Sequence, residues 1–276
     1  MVETPKSLVG VFDSGVGGLS VLRELSALLP AQPFYYIADQ AHVPYGERTL
    51  ADVRALSIGI TRFLLEKGAG LIVVACNTAS AAALKALRAE FPNTPFVGME
   101  PAVKPAALAT HSRVVGVLAT PATFQGELFA DVVARFASNI TVLTDTCPGL
   151  VRAVEAGDLD SPATRAILER AIHPMQRQGV DALVLGCTHY PFTLPLMREI
   201  AGPSVQIIDP APAVARRVRS LLAERGWLAE SSHTPPEISF ATTGSAPAFQ
   251  TSLRALLNLE TNPISLRWHN GALTQP

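Results

Sequence analysis

The sequence contains little cysteine and little charge, and it lacks a long apolar run. Its three cysteines, Cys76, Cys147 and Cys187, are odd in number and show no CxxC spacing, which argues against a disulfide framework and a zinc site. No apolar stretch approaches the roughly 18 residues that span a bilayer, and Met1 to Ser7 lacks the layout of a signal peptide. We therefore expect a cytoplasmic protein with free thiols.

An excess of positive charge is also absent. Lys and Arg total 22 against 23 Asp and Glu, which gives a formal net charge of −1. Binding to nucleic acid or to a membrane surface requires a basic excess, so we predict neither partner. Apolar residues make up 48% of the chain and charged residues 16%, a balance typical of a compact globular enzyme with one or two domains.

Short apolar runs alternate with segments of helical periodicity along most of the chain. Because continuous apolar runs are typical of parallel strands buried on both faces, we predict an α/β fold of mainly parallel sheets flanked by helices. The predicted strands are Leu8 to Phe12, Phe34 to Ala38, Leu71 to Ala75, Val114 to Leu118, Ile140 to Leu143, Ala182 to Leu185, Gln206 to Ile208 and Ile238 to Ala241. The predicted helices are Leu19 to Leu29, Leu50 to Lys67, Thr78 to Ala89, Thr123 to Phe136, Pro162 to Gln178, Val214 to Ala223 and Phe249 to Leu257, and a loop is predicted at Ser231 to Pro236.

Two distant segments of the chain are similar to each other. Gly70-Leu-Ile-Val-Val-Ala-Cys-Asn-Thr aligns with Asp181-Ala-Leu-Val-Leu-Gly-Cys-Thr-His, so Cys76 and Cys187 follow matching apolar strands. The repeat indicates two similar α/β halves. Because ligands of open parallel sheets bind beyond the carboxyl ends of the strands, we expect both thiols to face one cleft.

The two thiols of this repeat suggest a reaction type. A lone cysteine is more often a small buried hydrophobe, which fits Cys147. Cys76 and Cys187 instead precede hydrogen-bonding pairs, and we expect the amides of a helix starting at Thr78 to lower the pKa of the nearby thiol. Two thiols on opposite walls of a cleft can remove a proton from one face of a carbon and deliver one to the other face, which inverts a stereocentre.

A Gly-rich loop follows the first predicted strand, in Gly10-Val-Phe-Asp-Ser-Gly-Val-Gly-Gly-Leu19. Ser20 stands where a dinucleotide fingerprint requires Gly, and Val16 stands where a P-loop requires Lys, so a phosphate site is not favoured. Asp13 in this loop suits an ammonium group or the tuning of a thiol, although an Asp beside Gly is more often a cap or loop residue.

Three further candidates are ambiguous when taken alone. Pro44-Tyr45-Gly46 predicts only a turn. His189 is either a proton-handling partner of Cys187 or a structural imidazole, and the second is the commoner case. Glu155 reads by default as a solvated acid at a helix end.

Taken together, these segments resemble the glutamate racemases of the cofactor-independent aspartate/glutamate racemase superfamily. The matching stretches run in family order over nearly the whole chain: Gly10-Val-Phe-Asp-Ser-Gly-Val-Gly-Gly18, Val43-Pro-Tyr-Gly46, Ala75-Cys-Asn-Thr-Ala-Ser80 and Leu185-Gly-Cys-Thr-His-Tyr-Pro191. The resemblance implies a two-base racemase that needs neither cofactor nor metal and interconverts L- and D-glutamate for peptidoglycan synthesis. It also implies a homodimer and two pseudo-symmetric domains, 1–99 plus 211–276 and 100–210, with the active site between them.

The resemblance assigns a role to each candidate. Cys76, assisted by Asp13, would abstract the proton of D-glutamate. Cys187, assisted by Glu155 and His189, would abstract that of L-glutamate. The substrate-binding positions implied are Asp13, Ser14, Tyr45, Gly46, Asn77, Thr78, Thr120, Thr123, Thr188 and His189. Ala119-Thr120-Pro121-Ala122 departs from the family's Gly-Thr-x-x-Thr pattern, which weakens the assignment of the two threonines at 120 and 123.

Two alternatives remain at this point. An aspartate racemase would use the same pair of thiols and differ by the space for one methylene, a distinction of about 1–3 kcal/mol. A non-catalytic module for a small amino acid would keep Asn77, Thr78 and Thr188 but would have no use for paired thiols.

Overall fold

Two parallel sheets form the framework of the protein, and the computed structural model describes residues 7–230 and 238–276. The loop predicted at Ser231 to Pro236 lies outside the described residues. In chain order the strands are β1 (Val9–Asp13), β2 (Phe34–Ala38), β3 (Leu71–Val74), β4 (Phe96–Gly98), β5 (Val114–Ala119), β6 (Thr141–Asp145), β7 (Ala182–Gly186), β8 (Gln206–Ile208), β9 (Ile238–Thr242), β10 (Ile264–Ser265), β11 (Arg267–His269) and β12 (Ala272–Thr274).

Helices connect most successive strands. They are α1 (Leu19–Leu28), α2 (Leu50–Glu66), α3 (Asn77–Glu90), α4 (Val103–Ala109), α5 (Pro121–Gln125), α6 (Glu127–Phe136), α7 (Leu150–Glu155), α8 (Pro162–Arg177), α9 (Leu194–Ala201), α10 (Ala211–Glu224) and α11 (Ala246–Leu257), with 3-10 turns at Tyr45–Glu47 and Tyr190–Thr193. In the described ranges, no helix has both the length and the apolar character that crossing a membrane demands.

The first sheet has the strand order β10-β9-β2-β1-β3-β4, and the second has the order β6-β5-β7-β8. Every pairing in both sheets is parallel, whereas β11 and β12 form a separate antiparallel hairpin. The predicted fold class, parallel sheets flanked by helices, is therefore confirmed. The division into 1–99 plus 211–276 and 100–210 stays a prediction, and it matches the ranges from which each sheet draws its strands.

Apolar side chains cover both faces of each sheet. On β1, Val9 and Val11 pack into the cluster beneath α1 and α10, whereas Phe12 packs on the opposite face beneath α2 and α3. The alternation follows from the pleat of the strand, which directs successive side chains to opposite faces. Burial on both faces explains why the strands read as continuous apolar runs.

The structure corrects one predicted helix. The segment predicted as a single helix from Thr123 to Phe136 is divided at Gly126, whose backbone is extended (φ −72°, ψ 141°). A Cβ at this glycine would lie 2.7 Å from the Cβ of Ala81, so the close approach of α3 requires a glycine there. Sequence periodicity alone did not reveal this long-range contact.

Several short elements have no counterpart in the sequence prediction. They are β4, α4, α7, α9 and the terminal strands β10, β11 and β12. Each is too short for its periodicity to stand out from that of a loop. Of these elements, α7 ends at Glu155, and the hairpin formed by β11 and β12 packs against α2.

Candidate active site

A small cavity lies where the carboxyl ends of the two sheets meet, and both repeat cysteines line it. Cys76 follows β3 in the first sheet, and Cys187 directly follows β7 in the second. The cavity measures about 20 Å³, which is room for one water-sized molecule. The other predicted site residues that line it are Ser14, Tyr45, Gly46, Asn77, Thr78, Thr120, Thr188 and His189. The structure thus brings the two thiols to one cleft, as the internal repeat predicted.

Cys76 occupies the N-cap position of α3. Its sulfur accepts a hydrogen bond of 3.4 Å from the backbone N–H of Ala79. The pKa of this thiol is nevertheless well above its ordinary value. Burial raises it, and the adjacent Asp13 carboxylate raises it further, whereas the hydrogen bond from the Ala79 N–H lowers it by a smaller amount. The helix N-terminus does lower this pKa, as predicted, but burial and Asp13 outweigh its contribution. At neutral pH Cys76 is a thiol and requires a base to become a nucleophilic thiolate.

Asp13 lies behind Cys76, at the carboxyl end of β1. Its carboxylate accepts hydrogen bonds from the backbone N–H of Ser14 (2.6 Å), from the N–H of Gly18, and from the hydroxyl of Thr188 (3.3 Å). Complete burial raises the pKa of Asp13 despite these donors and despite the opposing charge of His189. A carboxylate with a raised pKa is a stronger base, which suits it to accept the proton of Cys76.

On the second sheet, Glu155, His189 and Cys187 form a connected series. Glu155 Oε1 lies 2.7 Å from His189 Nε2, and His189 Nδ1 lies 3.7 Å from the sulfur of Cys187. Burial lowers the pKa of His189, but hydrogen bonds with Cys187 and Glu155 raise it well above its ordinary value. Burial raises the pKa of Glu155, but the hydrogen bond and the charge of His189, together with the hydrogen bonds from Val16 and Gln40, bring it below its ordinary value. Both shifts favour the ionised form of the pair, a carboxylate beside an imidazolium.

The default interpretation of Glu155 as a solvated acid is thus wrong. Its side chain is only 14% exposed, and its Oε1 also accepts a 2.8 Å hydrogen bond from the backbone N–H of Val16 in the Gly-rich loop. His189 is buried and lines the cavity, so the interpretation of a purely structural imidazole is also not supported.

The Gly-rich loop is glycine-rich because side chains of the second sheet approach it closely. A Cβ at Gly15 would lie 1.9 Å from Glu155 Oε1, and one at Gly17 would lie 2.4 Å from His189 Nδ1. Real Cβ atoms essentially never come this close to a neighbour, so a larger residue at either position would force Glu155 or His189 to move. This packing explains why the loop is rich in glycine. The sequence alone had only argued against a phosphate site there.

Asn77 presents a buried amide to the cavity. Within the described part of the chain, neither its side-chain oxygen nor its nitrogen has a hydrogen-bond partner. A buried amide without a partner costs free energy, so such a group in a cleft indicates a ligand position.

A row of threonine hydroxyls joins the two halves beside Asn77. Thr78 Oγ1 lies 2.8 Å from Thr120 Oγ1, which lies 2.9 Å from Thr123 Oγ1. Thr120 lines the cavity, whereas Thr123 is buried behind it and reaches the cavity only through Thr120. The structure therefore separates the two predicted binding residues into one that faces the cavity and one that supports it.

Cys147 belongs to an apolar core. It is buried in the cluster that includes Leu118, Leu150 and Leu168, as the structural interpretation predicted. Burial first, and then the Asp145 carboxylate, raise its pKa well above the ordinary value, so the group stays a thiol. It borders a second cavity of about 150 Å³ beside the first, not the cavity of the other two thiols.

Asp39 is a further buried residue beside the site, and the sequence patterns did not predict it. This buried carboxylate accepts a 2.6 Å hydrogen bond from the hydroxyl of Tyr45, a residue of the cavity wall. Its position shortly before Pro44-Tyr45-Gly46 was the available signal, but its other partners are distant in the chain. Among the described residues, no group of three or more His, Cys, Asp or Glu side chains is arranged to hold a metal ion.

Comparisons with known proteins show the family to which the chain belongs. A fold of two parallel sheets that meet over a pair of buried thiols places the protein in the class of racemases, and solved racemases share the fold. The chain belongs to the Asp/Glu/Hydantoin racemase family, whose model matches residues 9–218.

Three similar proteins define the relationship. The chain is 50% identical to a glutamate racemase of Roseiflexus sp. over 248 residues, which is 90% of this chain and 91% of the relative. A crystal structure of a glutamate racemase isoform from Bacillus anthracis has a TM-score of 0.86 at 30% identity and covers 98% of this chain and 100% of that chain. A glutamate racemase from Francisella tularensis, solved in complex with D-glutamate, has a TM-score of 0.81 at 28% identity, with 94% and 97% coverage.

Proposed function

We propose that the protein is a glutamate racemase in which Cys76 and Cys187 act on opposite faces of the α-carbon. The observation that carries this proposal is that one thiol from each sheet lines the same cavity. Each thiol has a different acid–base partner, since Asp13 serves Cys76 and the Glu155–His189 pair serves Cys187. Two sets of partners are what a reaction requires when either thiol acts as the base.

With D-glutamate as substrate, the Cys76 thiol first passes its proton to Asp13. The resulting thiolate removes the proton from the α-carbon, and the Cys187 thiol donates its proton to the opposite face, which yields L-glutamate. One C–H bond breaks and one forms, so no net oxidation occurs. His189, held as an imidazolium by Glu155, then gives a proton to Cys187. The turnover ends with Asp13 protonated and His189 neutral, which is the form that acts on L-glutamate, and exchange of these two protons with solvent restores the first form. With L-glutamate the same steps run in reverse.

The polar groups of the cavity support the binding of an amino acid. The free amide of Asn77 suits the substrate carboxylate or ammonium group, and the hydroxyls of Thr78, Thr120 and Thr188 lie beside it. A cavity of about 20 Å³ is too small for glutamate. We therefore propose that glutamate binds when the two halves separate, and that the described arrangement is the closed one.

The choice of glutamate over aspartate follows the relatives. The protein of Roseiflexus sp., at 50% identity over most of both chains, is a glutamate racemase. In this proposal the D-glutamate product supplies peptidoglycan synthesis, the protein acts in the cytoplasm, and it forms a homodimer.

A chirality assay tests the proposal. The protein is incubated in deuterium oxide with L-glutamate, D-glutamate, L-aspartate and D-aspartate in parallel, and the change of optical form and the deuterium at Cα are measured. We expect both glutamate enantiomers to invert with deuterium incorporation and both aspartates to react far more slowly. Faster inversion of aspartate would indicate the aspartate racemase, and binding without exchange at Cα would indicate the non-catalytic module.

A further inference from the structure

Asp39 is a buried carboxylate one layer behind the cavity, just past the end of β2. Its side chain is 0% exposed, and its backbone N–H donates a 3.0 Å hydrogen bond to the carbonyl of Asp13. Four side chains surround its two oxygens: the Tyr45 hydroxyl at 2.6 Å, the Thr243 hydroxyl at 2.7 Å, the Trp268 indole N–H at 2.7 Å and the His42 Nδ1 at 3.0 Å. One carboxylate therefore connects the cavity wall to residues more than 200 positions away in the chain.

The bond from Tyr45 fixes a wall of the cavity. Tyr45 is buried, and its hydroxyl donates to Asp39. The next residue, Gly46, approaches Thr120 so closely that a Cβ there would lie 2.8 Å from the Thr120 Cβ. Because the two halves touch at this point, a small displacement of Tyr45 changes the width of the cavity.

The partner from the C-terminal end of the chain is Trp268, in the hairpin formed by β11 and β12. Its ring packs on α2, where a Cβ at Gly59 would lie 2.7 Å from ring atom Cζ3. Leu273 of the hairpin and Leu266 just before it are buried in the same apolar cluster as Tyr45. The hairpin is thus anchored firmly enough to hold the indole N–H on Asp39.

We propose that Asp39 is a positioning residue for the reaction and that the C-terminal hairpin belongs to the catalytic apparatus, because Trp268 orients the carboxylate that orients Tyr45. The inference rests on the proposed function for the identity of the substrate. It adds a contribution from the last residues of the chain, for which the sequence suggested no role.

A purely structural role for Trp268 is the competing explanation, and a double-mutant cycle separates the two. Trp268→Phe removes the N–H donor and keeps an aromatic ring on α2. We expect it to raise KM for glutamate about 10-fold in the otherwise native protein and to change KM less than about twofold in a Tyr45→Phe background, where the bond to Asp39 is already missing. A structural role would give the same factor in both backgrounds.

The second tryptophan of the chain provides the matched control. Trp227 packs against the apolar cluster beneath α1 and α10, on the other face of the first sheet from Tyr45. Trp227→Phe should leave kcat and KM within about twofold of the native values. It also leaves Trp268 as the remaining indole, whose fluorescence we expect to change when D-glutamate is titrated.

The outcomes are distinguishable. A native protein that fails to racemise glutamate removes the proposed function and this inference with it. If the native protein is active but the Trp268→Phe and Trp227→Phe variants have equal KM values for glutamate, the inference alone is overturned. The inference is also overturned if Trp268→Phe raises KM by the same factor in the Tyr45→Phe background as in the otherwise native protein.

Discussion

Glu155 and His189 are joined by a hydrogen bond of 2.7 Å, and the same Glu155 oxygen accepts a 2.8 Å bond from the backbone N–H of Val16. The first bond lies on the second-sheet side of the cavity, and the second crosses to the Gly-rich loop that follows β1. One carboxylate oxygen therefore stabilises the protonated imidazole beside Cys187 and also forms a hydrogen bond between the two halves. Acid–base chemistry and closure of the cleft depend on the same atom.

Glu155→Gln should slow turnover by about 10- to 100-fold, because the imidazole loses the negative charge that keeps it protonated. If Glu155 serves Cys187, proton abstraction from L-glutamate becomes the slower step. The deuterium isotope effect on kcat/KM should then rise with 2-deutero-L-glutamate and fall with 2-deutero-D-glutamate. Equal isotope effects for the two enantiomers would contradict the assignment.

The ionised pair should also appear in the pH dependence of stability. The lowered pKa of Glu155 contributes stability above its ordinary value of 4.5, which is lost as the pH falls through the lowered pKa. The raised pKa of His189 contributes stability below its ordinary value of 6.5, which is lost as the pH rises through the raised pKa. The difference in unfolding free energy between native protein and His189→Gln should therefore be largest between these two values. Urea titrations across pH measure it, and exposed His173→Gln, the control, should show no such maximum.

The three cysteines supply an internal comparison. Cys76→Ala and Cys187→Ala should each reduce turnover by at least about 10²- to 10⁴-fold, because each removes an acid or base from one face of the substrate. Cys147→Ala should retain activity and lower the unfolding free energy by about 1 kcal/mol through lost packing. Steady-state kinetics and urea unfolding of the three variants check this. An active Cys76→Ala protein would refute the two-thiol mechanism.

Asn77→Ala should weaken substrate binding without weakening the fold. Its amide has no partner in the described structure, so removal breaks no protein hydrogen bond and the unfolding free energy should not fall by more than about 0.5 kcal/mol. KM for glutamate should rise about 10- to 100-fold, the equivalent of one lost hydrogen bond to a charged group. Exposed Asn93→Ala is the control. A large loss of stability with unchanged KM would show that the amide is structural.

Gly15→Ala should impair the enzyme through Glu155. The added methyl group would lie 1.9 Å from Glu155 Oε1 and would displace the carboxylate from His189. We expect a loss of turnover similar to that of Glu155→Gln. In a Glu155→Ala background the methyl group meets no carboxylate, so Gly15→Ala should there have little further effect on kcat. An equal loss in both backgrounds would indicate general distortion of the loop.

Much of the fold and part of the site were predictable because their signals are local. Apolar runs of four or five residues predicted the sheet strands that contain or precede Asp13, Cys76 and Cys187, and the internal repeat predicted that both thiols face one cleft. Resemblance to a family then selected the remaining residues. Shorter elements such as α7 and the terminal hairpin were not predicted, because a few residues carry too little periodicity to be recognised.

What the sequence by itself determined is the order of strands and helices, the class of fold and the placement of two thiols after matching strands. The tertiary structure alone decided the ionisation of those groups and their partners. Burial and the Asp13 carboxylate raise the pKa of Cys76 by more than the helix N-terminus lowers it. Glu155, for which the local sequence predicts a solvent-exposed position, accepts hydrogen bonds from His189 and Val16. The reason is that strand and helix formation depends on neighbouring residues, whereas desolvation and hydrogen bonding depend on segments that only packing brings together, as with Asp39 and Trp268.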